Sequence, residues 1–90
     1  MPTLQEIKDY LGIDGDHNDP LINSLMNAAR ELVEGILRHQ IAKINPVPSL
    51  VTEAIKFTVA FLYSGRETAD IKALEKTLRT MLNHYRQVGF

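Results

Sequence analysis

Three groups of side chains in this sequence have types and spacings that chemistry uses. His17, His39 and His84 are far apart in the chain, and none has a second His or a Cys at metal-ligand spacing. They read as loop and helix-end residues, and no metal is expected. Asp14, Asp16 and Asn18 alternate as the first ligands of a calcium-binding EF-hand loop do. That loop requires Gly at its sixth position and a bidentate Glu at its twelfth, where this chain has Asp19 and Leu25, so turn and capping duty is the stronger reading. The third group is basic. Lys72, Lys76, Arg79, Asn83 and Arg86 recur every three or four residues and form a ridge along one side of a helix. Such a ridge can attract phosphate without sequence preference, pair with an acidic protein surface, or simply solubilise an outer helix and favour the negative end of its dipole.

Nucleophilic and cofactor chemistry fare no better than metal chemistry. Asn23-Ser24-Leu25 is similar to the Asp-Ser-Leu that carries phosphopantetheine in acyl carrier proteins, but the acidic residue is missing and Ser24 falls inside a helical pattern. There is no Gly-rich phosphate loop, nucleophile elbow or paired carboxylate arrangement. With no cysteine, a disulfide framework, a thiolate metal site and a cysteine nucleophile are all excluded. The chain reads as a non-enzyme without catalytic, metal-binding or cofactor-binding residues.

What must position the basic ridge is a small helical domain. Ninety residues fit a single domain over 1–90. A chain of this size buries only roughly 60 to 65 per cent of its unfolded surface, which makes association with copies of itself attractive. Hydrophobic residues at 44% and charged residues at 23% are globular proportions. No basic-then-apolar signal peptide opens the chain, and no apolar run approaches the roughly 20 residues of a membrane span, so a soluble protein is expected. The net charge of −1 conceals an asymmetry. Residues 1–34 hold seven acids against two bases, whereas the remainder holds eight bases against four acids. The acidic end, with Asp14, Asp16, Asp19 and Glu34 as candidate partner surface, could meet the basic end of the next copy, where Lys72, Lys76, Arg79 and Arg86 are the candidates.

Periodicity and turn chemistry place the helices. Thr3-Leu4-Gln5-Glu6 has capping-box spacing, and Gly12 can end the short helix that puts Leu4, Ile7, Tyr10 and Leu11 on one side. Asp19-Pro20 predicts an N-cap followed by a proline at the first helical position. In the helix that follows, Leu21, Leu25, Ala28, Leu32 and Ile36 form one apolar stripe, and Ile22, Met26, Ala29, Val33 and Leu37 form an adjacent one. Asn45-Pro46-Val47-Pro48 predicts a linker, and Ser49 an N-cap for a third, central helix in which Phe57, Phe61 and Leu62 are buried. After a break over residues 64–70, an amphipathic fourth helix carries Ile71, Leu74, Leu78, Met81, Leu82 and Tyr85 inward. The fold class is all-α: a small helical bundle of three main helices plus one short N-terminal helix.

In that order, the elements resemble the head-tail connector proteins of tailed bacteriophages and prophages, the family typified by the connector of phage HK97. The stretches that carry the resemblance are Thr3 to Asp14, Asp19-Pro20-Leu21-Ile22 through Gly35, Val51 through Tyr63-Ser64-Gly65-Arg66-Glu67, and Met81-Leu82-Asn83-His84-Tyr85-Arg86. The resemblance implies a structural virion protein, a head completion adaptor whose copies form a ring of about a dozen below the portal and extend the DNA channel. It implies as partners the portal protein, a tail-side adaptor or terminator protein, further copies of the chain, and the double-stranded DNA that passes through. It implies residence in the virion, and in the bacterial host cytoplasm during assembly, with no membrane. It brings no catalytic residue and no cofactor. A different class of function remains beside it: a small helical DNA-binding module using the basic fourth helix. No helix pair joined by a short Gly turn leads into that helix as a recognition helix requires.

Overall fold

In the computed structural model, residues 1–38, 40–44, 46–64 and 71–88 are described, with side chains up to Asn83 in the last stretch. His39, Asn45, the expected break from Gly65 to Asp70, and the side chains of His84, Tyr85 and Arg86 lie outside the described residues. The described residues are mostly helical, and no strand occurs among them. Its helices are α1 (Leu4–Leu11), α2 (Asp19–Leu37), α3 (Ser49–Tyr63) and α4 (Ile71–Val88), with a 3-10 turn at Ile41–Lys43 between α2 and α3.

The capping box forms as the sequence predicts. Glu6 N–H donates to Thr3 Oγ1 at 3.1 Å and Thr3 N–H donates to Glu6 Oε1 at 3.0 Å, while Gly12 ends α1 in the left-handed region at φ 72°. Two other caps sit one residue from where the sequence puts them. Asn18 takes the N-cap position of α2, so Asp19 is the first helical residue and Pro20 the second. Asn18 makes no capping bond; its amide donates to Tyr63 Oη at 3.4 Å instead, and the Asp19 carboxylate faces Lys8 Nζ at 3.0 Å. Likewise Pro48, not Ser49, precedes the first turn of α3, and its fixed extended conformation (φ −60°, ψ 143°) starts the helix without a side-chain cap. Helix α2 closes on Arg38, which occupies the left-handed region at φ 57° and donates its N–H to the Glu34 carbonyl.

Helices α2 and α3 form the centre, α4 packs across both, and α1 packs on α3 and α2. The result is a slab of 40 × 30 × 17 Å. Its core takes Ile22, Met26, Ala29, Val33, Ile36 and Leu37 from α2, Val51, Ala54, Ile55 and Val59 from α3, and Leu74, Leu78 and Leu82 from α4. Ile7 of α1 joins them, as do Ile41 and Ile44 of the linker, which the sequence reading leaves out of the core. Thr58 is buried among them, its hydroxyl satisfied by donating to the Ala54 carbonyl at 2.8 Å.

The expected burial of Phe57, Phe61 and Leu62 is not observed: all three are half-buried. Helix α3 turns its 51-54-55-58-59 side inward, and an all-apolar sequence could not show which of its sides that would be. Tyr10 is exposed because α1 buries Ile7 and Lys8, and Tyr10 lies about 100° around the helix from that side. Ile71 stands at the first residue of α4 and is exposed as well.

Candidate assembly surfaces

The buried row Leu74, Leu78 and Leu82 fixes the orientation of α4. Lys72, Lys76, Arg79 and Asn83 therefore stand at the surface, and all four are exposed. Lys72 to Arg79 is seven residues, about 10 Å of helix. Among the described residues none of these three cations makes an ion pair. The hydroxyls of Thr77 and Thr80 on the same helix donate back to the carbonyls of Ala73 and Lys76, both at 3.0 Å. What α4 offers to a partner over its first half is thus net positive charge, with three exposed cations against the half-buried Glu75. Arg86, at the far end of the expected ridge, has its side chain outside the described residues.

The four acids do not form one surface. Asp14 and Asp16 lie exposed in the turn between α1 and α2, where Gly15 supplies a left-handed residue at φ 84°, and neither makes an ion pair among the described residues. Asp19 is drawn inward to Lys8, and this bridge pins α1 to the start of α2. Glu34, roughly 22 Å along α2 from Asp19, also serves the interior. Its Oε1 accepts from Arg30 at 2.9 Å and its Oε2 from the Ile41 backbone N–H at 2.8 Å. Arg30 and Glu34 stand at i, i+4, so their pairing is visible in the sequence. The bond to Ile41 crosses a non-helical segment and has no local signal. Lys8 does leave a signal, since it falls on the same side of α1 as Leu4, Ile7 and Leu11.

Apolar surface remains after the core is filled. The Ile22 to Leu37 stripe of α2 is buried, whereas in the adjacent stripe Leu21 is exposed and Leu25, Ala28 and Leu32 are half-buried. Together with Phe57, Phe61 and Leu62 of α3, this is more apolar face than the bundle itself covers. A cleft of about 600 Å³ opens between Arg30 and Glu34 of α2 and the linker residues Gln40, Ile41, Ile44 and Val47.

His17 is exposed in the α1–α2 turn, and Ser24 is exposed within α2. Among the described residues no three His, Cys, Asp or Glu side chains are close enough to hold a metal ion, and no helix is long and apolar enough to cross a membrane. In comparisons with known proteins, the family model described as "Phage gp6-like head-tail connector protein" matches residues 1–86. No curated protein and no solved structure matches the chain.

Proposed function

The chain belongs to the phage gp6-like head-tail connector family, a structural family, and from that membership we propose that its copies form a ring of about a dozen below the portal, extending the channel through which double-stranded DNA passes. The observation that carries this reading is the family match over residues 1–86, nearly the whole chain. In this reading the portal protein binds on one side of the ring and a tail-side adaptor or terminator protein on the other. The protein is then made in the host cytoplasm and ends in the virion.

The physical character of the chain supports an assembling subunit. It is thin, it leaves Leu21 exposed and Leu25, Ala28 and Leu32 of α2 only half-buried, and it carries exposed acids (Asp14, Asp16) in the α1–α2 turn and exposed bases (Lys72, Lys76, Arg79) on α4. A basic helix alone also supports DNA binding, but the apolar surplus on α2 and α3 has no use in that reading. Native mass spectrometry of the chain, alone and with the portal protein of the same phage, tests the proposal. A closed oligomer or a stoichiometric portal complex is the expected result. A chain that stays monomeric with portal protein present refutes it.

A further inference from the structure

We propose that the corner between α1 and α2 of one copy docks on the first half of α4 of the next, an inference that rests on the ring reading and names the contact that would close it. Asp9, Asp14 and Asp16 are exposed at the corner and Lys72, Lys76 and Arg79 on α4, where the half-buried Glu75 is the one acid between them, so the two surfaces are of opposite net sign. None of the six is neutralised by an ion pair among the described residues.

Apolar anchors accompany both sets. Tyr10 (48% exposed) and Leu21 (50%) flank the acidic turn, and Ile71 (41%) adjoins Lys72. A few large apolar side chains within a charged rim is the composition of a protein interface, in which the anchors supply most of the affinity and the charges set partner and orientation.

The occupant is argued from where the two surfaces sit. Helices α1 and α4 each pack on both α2 and α3, and among the described residues they are the pair of α-helices without a substantial contact. The corner and the ridge are therefore separate surfaces of one molecule. Each is complementary to the other and not to itself. That excludes an isologous pair through either surface alone and favours a head-to-tail contact, the kind that closes into rings.

Charge reversal tests this in both directions, with circular dichroism confirming that the variants, all at exposed positions, remain folded. Asp14→Lys with Asp16→Lys reverses the corner; Lys76→Glu with Arg79→Glu reverses the ridge. Either reversed protein alone should associate at least about tenfold more weakly than wild type, because like charges then meet. Mixed together they should co-assemble, since the reversed ridge of one then fits the reversed corner of the other. Native mass spectrometry, with and without portal protein, reads both results.

If wild type assembles but neither reversal weakens it, or mixing fails to repair the loss, the docking surface is wrong and the connector reading stands. If the reversed ridge assembles normally but loses salt-dependent DNA binding, the ridge faces DNA and the docking proposal is again overturned. A wild-type chain that neither associates nor binds portal protein overturns both.

Discussion

Removing the Glu34 carboxylate should loosen the linker from α2, and the structure sets the size of the effect. Glu34 Oε2 accepts from the Ile41 N–H at 2.8 Å, and Ile41 itself is 2% exposed. A hydrogen bond to a charged group contributes about 1.5 to 3 kcal/mol. Because the side chain of Glu34 is 17% exposed, water can partly replace it, which puts the loss near the lower end. The Arg30 pair, at i, i+4 and partly exposed, adds about 0.5 kcal/mol, and the better helix propensity of Ala returns a similar amount. Glu34→Ala should therefore cost about 1.5 to 2 kcal/mol, or roughly 10 °C in Tm for a domain of this size. Glu34→Gln keeps a carbonyl acceptor for Ile41 and should cost about half as much. Arg30→Ala should cost less than about 0.5 kcal/mol. Thermal melts give the order, and amide hydrogen exchange at Ile41 gives the cause, since that amide should exchange faster in Glu34→Ala and keep its protection in Arg30→Ala. Equal costs for Arg30→Ala and Glu34→Ala, or unchanged exchange at Ile41, would refute the argument.

Lys8→Met should cost about 2 kcal/mol by stranding the half-buried Asp19 carboxylate, and adding Asp19→Asn should recover part of that loss; chemical denaturation of the two single variants and the double variant measures the coupling. Ile55→Ala, at a fully buried site, should cost about 2 to 5 kcal/mol, while Phe61→Ala at a half-buried one should cost clearly less; a reversed order in thermal melts would mean that α3 faces the other way. Acid should fray the start of α1. The bonds from the Thr3 backbone N–H and then its hydroxyl hold the Glu6 carboxyl below its ordinary 4.5, so its contribution is present above that value and lost as pH falls through the lowered folded-state pKa. Amide exchange at Thr3 and Glu6 should show this in the wild type and much less in Glu6→Gln.

Helix positions were readable because each boundary has a local cause: the Thr3–Glu6 box, Gly12, Pro20 and Pro48 act within a few residues of themselves. Where the sequence put a cap on Asp19, a tertiary partner intervened. Lys8 stands eleven positions earlier, on another helix, and no local pattern joins the two. The inward side of α3 was hidden for a different reason: from Phe57 to Tyr63 only Thr58 is polar, so periodicity carries no phase there. The linker was the hardest segment. Its prolines announce a non-helical path, but Ile41 and Ile44 are buried beside a bond from the Ile41 N–H to Glu34 that only the folded chain brings within reach. The acidic surface is smaller than composition suggests for the same reason, since Asp19 and Glu34 count as charges in the sequence while the fold uses both internally.

That internal use sharpens what is left over. A 90-residue chain is small for a self-sufficient core, and this one leaves Leu21, Leu25 and Leu32 of α2 and Phe57, Phe61 and Leu62 of α3 short of full burial. Each apolar side chain left half in water forgoes part of the roughly 25 cal/mol per Å² that burial contributes. A neighbour that covers these residues would recover that energy, and stability would rise with protein concentration or with bound portal protein. The charges cannot play the same part, because exposed pairs contribute little free energy on their own. In the proposed ring their use would be orientation: with the corner acidic and the first half of α4 mainly basic, two copies stacked like surface to like surface would repel, and the sequence of attractions would run one way around the closed assembly.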